Sequence, residues 1–118
     1  MEFTIELYET PDGQAVVEEE LEAIERRTPV LHDLIVAGLN KLRRRAYHRP
    51  PLCEPLGGGL YELRVGRKDI ARAAWFFREG QRIVVVRCFV KKSQKTPKNE
   101  LKLAQSRMAE YRTRQSGQ

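Results

Sequence analysis

The chain has 118 residues, 41% of them hydrophobic and 32% charged, with a formal net charge of +6. Those proportions fit one globular domain, 1–118, long enough to bury a core, and exclude a disordered segment. Residues 1–25 hold nine acids and no lysine or arginine, which leaves 22 cations against seven acids, +15, in the remainder; a basic body of that strength favours a polyanion partner over a merely solubilising surface.

Phe3, Ile5 and Leu7 alternate with Thr4, Glu6 and Tyr8, which predicts a first strand with one buried face. Pro11-Asp12-Gly13 ends it. Asp12 is the expected N-cap of a helix over 14–27, acidic early and closed by Arg26 and Arg27 in keeping with the helix dipole. Thr28-Pro29 signals a second helix start. Its apolar stripe is Leu31, Leu34, Ile35, Leu39 and Leu42, and it ends in Lys41, Arg43, Arg44 and Arg45. Pro50-Pro51 and Gly57-Gly58-Gly59 bracket an expected loop. Strands follow at 60–65, 70–78 and 82–90, separated by Gly66-Arg67-Lys68-Asp69 and Gly80-Gln81. Ile83-Val84-Val85-Val86 has the character of a central strand covered on both faces. Thr96-Pro97 opens a last helix that buries Leu101, Ala104, Met108 and Tyr111 before a polar tail at about 113–118. The predicted fold is α+β in the order βααβββα: a small, twisted, mostly antiparallel sheet with the helices packed on one face.

No apolar run approaches the ~20 residues that span a bilayer. The acidic N-terminus lacks a leader pattern, so a cytoplasmic location without membrane contact is expected. Cys53 and Cys88 lie outside any CxxC and are expected as reduced thiols. With His32 and His48 they show no ligand spacing, and no metal site is expected.

Alternation places the apolar sets of the strands toward the helices and leaves Arg64, Arg72, Arg87 and Lys91 on the other face. Arg64 stands opposite Arg72 if the first hairpin loop is Arg67–Asp69; one residue more or less would separate them. Like charges paired across strands destabilise a sheet, so stability alone does not place them there. With Phe76 and Phe89 beside them they form a surface suited to RNA, guanidinium for phosphate and rings for bases. The alternative is that Glu62 and Glu79 pair with these arginines on a solvated face.

Leu60-Tyr61-Glu62-Leu63-Arg64, Ile70-Ala71-Arg72-Ala73-Ala74-Trp75-Phe76 and Val90-Lys91-Lys92-Ser93-Gln94-Lys95-Thr96-Pro97, with Ala104-x-x-Arg107, resemble the phage Gp49-like branch of the RelE/HigB toxin superfamily. The resemblance is strongest over 56–111. It implies a RelE-like fold and a ribosome-dependent messenger endoribonuclease. It also implies neutralisation by an antitoxin, expected to be of the helix-turn-helix DNA-binding type, and no metal or organic cofactor. Carried over residue by residue, it places Arg64, Arg72, Lys91, Lys92 and Lys95 at the site.

RNA cleavage by its own 2′-OH requires a base, donors for the phosphorane oxygens and an acid for the leaving 5′-oxygen. The strand region has no histidine; His32 reads as a helix-surface or core residue, and His48, next to Arg49, as either an RNA contact or a residue without a role. Arg64 and Arg72 are the expected phosphate ligands. Lys92 or Lys95 is the expected base, since crowded cations favour a neutral amine. The acid is unassigned, with Arg87 and Lys91 as candidates. Lys91, Arg87, Phe89, Arg67 and Lys68 are expected to bind substrate. Lys41, Arg43, Arg44, Arg45 and Arg49 are expected either to dock on ribosomal RNA phosphates or to be an ordinary basic helix end. Tyr111 reads as core ahead of base stacking. The competing functions are a gyrase-directed toxin on the same fold and a non-catalytic RNA- or ribosome-binding module.

Overall fold

A computed structural model describes residues 2–117. The chain runs β1 (Thr4–Leu7), α1 (Val16–Arg27), α2 (Pro29–Lys41), β2 (Cys53–Gly57), β3 (Leu60–Gly66), β4 (Ile70–Arg78), β5 (Arg82–Lys91) and α3 (Lys98–Ser116), with a single 3-10 turn at Arg45–Tyr47. The strands form one sheet in the order β1-β5-β4-β3-β2. β1 is parallel to β5 and every other pair is antiparallel. Among the described residues no helix is long and apolar enough to cross a membrane.

This is the predicted α+β order with one strand more. β2 occupies the segment expected as a loop. Cys53-Glu54-Pro55-Leu56-Gly57 does not announce a strand, because Pro55 cannot donate to a ladder. An edge position tolerates that, and β2 is the edge. Gly58 and Gly59, at φ +64° and +94°, make the turn between Gly57 and its partner Leu60. A two-residue hairpin turn with both φ values positive is a glycine position.

β5 is an interior strand, and Ile83 to Val86 are fully buried between β1 and β4. Its alternation is interrupted: Ala74 pairs with Arg87 but Trp75 pairs with Val85, so Val86 is an extra residue. The face sets expected from strict alternation therefore exchange members. Val84, opposite Phe76, lies on the side of Arg87 and Phe89; Val85, opposite Trp75, lies on the side of Cys88.

The helices are divided between the two faces, which corrects the one-face expectation. α2 packs on the face of Leu63 and Ala73 so closely that a Cβ on Gly38 would meet the Leu63 methyls at 3.1 Å. α3 packs on the opposite face, where Tyr111 meets Phe76 edge-on at 5.6 Å between ring centroids. The cause is in the sequence: α3 has its own apolar stripe, Ala104, Met108 and Tyr111, and Leu60, Phe76 and Val84 give it an apolar field to cover. α1 flanks β5 and packs on α2, burying Val17, Leu21 and Ile24.

Three helix ends differ from expectation. Asp12 does not cap α1; it accepts a hydrogen bond from the Thr10 hydroxyl, whose oxygen accepts from the Gln14 amide at 3.0 Å. Thr28 opens α2 ahead of Pro29, but its hydroxyl donates back to the Ile24 carbonyl at 3.3 Å. The expected polar tail is helical through Ser116, held by Arg114, which donates to the Glu9 carbonyl at 2.8 Å and to Glu110 at 3.1 Å. Gln118 lies outside the described residues.

Candidate active site

The β3–β4 hairpin has the predicted register. Gly66 pairs with Ile70, the loop is Arg67–Asp69, and Arg64 stands opposite Arg72. Gly66 is fixed by the turn: its φ is +106°, and a Cβ there would run into the Asp69 carbonyl at 2.4 Å. β5 extends the row with Phe89 beside Arg72 and Arg87 beside Ala74. The four expected cations, Arg64, Arg72, Arg87 and Lys91, therefore share one face.

That face is not the open surface the sequence suggests. α3 covers its Phe76 half, and the segment from Lys92 to Pro97 crosses the Arg72 half as a strap. Arg72 is fully buried, and its Nη2 donates to the Ser93 carbonyl of the strap. The Thr96 hydroxyl bonds the buried Glu62 carboxylate at 2.9 Å and fastens the other end of the strap. Phe76 and Phe89 are buried too. Phe76 lies under Tyr111 and Arg112, while Phe89 lies between the guanidiniums of Arg72 and Arg87, at 6.0 and 5.7 Å. Neither is an exposed stacking platform.

Under the roof the charges pair almost completely. Arg64 Nε donates to Glu62 at 2.6 Å, as the solvated-face alternative anticipates for Glu62, although this pair is buried on the carboxylate side. Arg87 is clamped by Glu100 at 2.7 Å and by Glu20 at 2.9 Å. Burial works against the charge on Arg87, but these two carboxylates outweigh it and hold its pKa above the ordinary arginine value. Arg107 takes the same Glu20 at 2.7 Å. Among the described residues Arg72 is the buried cation of this row that has no ion pair. Its Nε and Nη1 are buried without a partner. Burial pulls its pKa below the usual arginine value; Glu62 offsets this and Arg64 adds to it. Each buried unpaired donor costs roughly 1–3 kcal/mol, so the position favours an arriving anion. Glu20, Glu100 and Thr96 were not legible as site residues: Glu100 looks like a first-turn acid answering the helix dipole, and Glu20 is one of five acids in α1.

A groove of about 680 Å³ runs beside this cluster between α1, β5 and the start of α3. Of the expected substrate-binding residues, Lys91, Arg87 and Phe89 line it; Arg67 and Lys68 stand exposed on the hairpin tip and do not. Lys92 also lines the groove, while Lys95 is exposed further along the strap. Arg87 is occupied by its two carboxylates.

The second basic group lies elsewhere. Lys41, Arg43, Arg44, Arg45 and Arg49 are all exposed, around the 3-10 turn that follows α2. His48 is half-buried among the rings of Phe3, Trp75 and Phe77, and its Nε2–H donates to the Leu42 carbonyl at 2.6 Å. His32 lies at the surface of α2, 3.8 Å from Glu25. Tyr111 is core, its hydroxyl held by Glu6 at 3.0 Å and by Arg78 at 2.6 Å. Cys53 and Cys88 are both buried free thiols, and burial pushes Cys53 up to about 11, so neither is an activated nucleophile. Among the described residues no three histidine, cysteine or acidic side chains gather as a metal site.

The fold is a small α+β module, one mixed five-stranded sheet with a buried cationic row on one face. The chain belongs to the phage-derived protein Gp49-like family (DUF891), whose model matches residues 18–109, from the first turn of α1 to the second half of α3. No curated protein matches the chain.

Proposed function

We propose that this protein is the toxin of a toxin–antitoxin pair, a metal-independent endoribonuclease that cuts messenger RNA on the ribosome. The observation that carries the reading is Arg72: a buried surplus cation with two unpartnered donors, directly across the hairpin from Arg64. A phosphate is the ligand that such a pair of guanidiniums suits. For RNA to reach it, the Ser93 carbonyl must give way to a phosphate oxygen.

Arg72 and Arg64 then hold the scissile phosphate and stabilise its growing charge. Lys92 or Lys95, carried on the displaced strap, takes the 2′-OH proton. The 2′-oxygen attacks phosphorus, the bond to the 5′-oxygen breaks, and a proton returns to that oxygen from a donor such as Lys91. The products are a 2′,3′-cyclic phosphate and a 5′-hydroxyl. No side chain stands ready as a strong acid, which suits an enzyme whose substrate is ordered and partly activated by the ribosome. Lys41, Arg43, Arg44, Arg45 and Arg49 would dock on ribosomal RNA through phosphates, and a helix-turn-helix antitoxin would hold the protein silent.

The test is to induce the chain in bacteria and map new 5′ ends by primer extension, beside Arg72→Ala. Cuts confined to translated messages and absent from the variant are expected. Growth arrest without cuts, accompanied by altered DNA supercoiling, would replace this reading with a gyrase-directed toxin; no phenotype would leave a binding module.

A further inference from the structure

Cleavage makes no use of the aromatic residues on the opposite face of the sheet. There Phe77 is 38% exposed although four rings surround it: Trp75 at 5.0 Å, His48 at 5.3 Å, Tyr61 at 5.4 Å and Phe3 at 5.8 Å. The platform is stiff. Tyr61 lies nearly parallel on the fully buried Trp75, at 4.8 Å and 20°, and His48 is tied to the Leu42 carbonyl. Positive charge rims it. Arg45 lies over Phe3 at 5.8 Å, and Lys41 lies 5.5 Å from the ring of Tyr47, itself 38% exposed. From 34 to 53 the chain carries five lysines and arginines and no carboxylate.

We propose that this ledge is a second RNA-binding site, where an unpaired base stacks on Phe77 and Tyr61 while Arg45 and Arg49 hold the flanking phosphates. Every base has a π-face, so stacking on fixed rings recognises single-stranded or looped RNA without selecting a sequence. The rings are already locked, so little side-chain freedom is lost on binding. An exposed aromatic beside arginines also suits a protein partner, but five cations with no carboxylate among them match a polyanion better. The ledge is separate from the Arg72 face, and its role does not depend on cleavage.

Trp75, the only tryptophan, sits under the ledge and reports on it. The experiment titrates the full chain with a 2′-O-methyl RNA decamer and follows Trp75 emission. That probe has no 2′-hydroxyl to attack with and cannot be cut, so failure here leaves the cleavage reading standing, and failure of the Arg72 test leaves this one standing. We expect the emission to change on binding, Phe77→Leu to bind about tenfold more weakly, within the range for loss of one base–aromatic stack, and Phe77→Tyr to restore binding. Phe77→Leu keeps the apolar contacts, and an unchanged melting temperature verifies its fold. Unaltered Trp75 emission, equal affinity in Phe77→Leu, or equally tight binding of polyglutamate of matched charge would each overturn the proposal.

Discussion

The arginines on the two sides of the sheet live under opposite conditions. On the α3 side Arg64, Arg72 and Arg87 lie beneath a helix and a strap, and each carboxylate there is already committed: Glu62 to Arg64, Glu100 to Arg87, Glu20 to Arg87 and Arg107. On the α2 side Arg43, Arg44, Arg45 and Arg49 stand in water among exposed or half-exposed rings. Desolvation makes each charge on the first side expensive, so its worth depends on whether it is paired. Screening makes each charge on the second side cheap, so its worth is in attraction over distance. A buried surplus such as Arg72 suits chemistry at one phosphate; an exposed group suits docking along many.

The largest effects should come from separating surplus from pair under the roof. Glu62→Gln leaves Arg64 and Arg72 facing each other without a carboxylate and takes away one of the two acceptor oxygens that the Thr96 hydroxyl meets. A loss of roughly 3 kcal/mol in denaturant unfolding is expected, the usual cost of breaking a buried pair. Arg72→Met should behave in the opposite way. It removes a charge that has no carboxylate of its own and two donors that have no acceptor, so stability should hold or rise while toxicity is lost. If Arg72→Met unfolds as readily as Glu62→Gln, Arg72 is a structural member of the network and not a site waiting for an anion.

The exposed side should show almost the reverse. Arg44→Gln with Arg49→Gln is expected to move unfolding by less than about 0.5 kcal/mol, as surface changes do. Its effect should appear in ribosome co-sedimentation across a salt series, where each lost phosphate contact flattens the log–log slope by about one unit. An unchanged slope would mean that these cations are an ordinary helix end.

How far the sequence could take this comparison depended on what each residue advertised. Arg64 opposite Arg72 was legible, because a period of two and a three-residue loop bounded by Gly66 leave one register that puts both on one face. The bulge at Val86 was not, because a run of four buried aliphatics carries no polar marker of face. β2 was hidden by Pro55, whose tolerance depends on an edge position that only the assembled sheet defines. The roof was missed because Glu100 and Thr96 look like helix-start residues. The ledge was missed because Tyr61 and Phe77 share a face with Leu63 and Trp75 as core residues do, and only the assembled fold leaves Phe77 uncovered. The family motifs did mark Arg64, Arg72 and the strap, because those residues are placed by local turns and short strands.

The effect confined to the narrowest pH window concerns what fastens the roof. The Tyr8 hydroxyl donates to Glu110 of α3 at 2.6 Å, and burial, helped by that carboxylate, pushes its pKa from 10.0 up to about 12. The folded protein therefore holds this proton more tightly than the unfolded chain. The stabilisation is complete below pH 10, where both states are protonated, and is lost as pH rises through about 12, where tyrosinate would face the Glu110 carboxylate. Tyr8→Phe should remove that part of the alkaline loss, so that stability from pH 10 to 12 falls less steeply than in the parent in urea titrations. At neutral pH it should cost only about 1 kcal/mol, the net worth of one hydrogen bond. The ledge has no part in this contact, so Trp75 emission should report RNA binding unchanged in the same variant at neutral pH. A Tyr8→Phe protein that lost ledge binding would show the two sides of the sheet to be coupled, and the division drawn between them would fail.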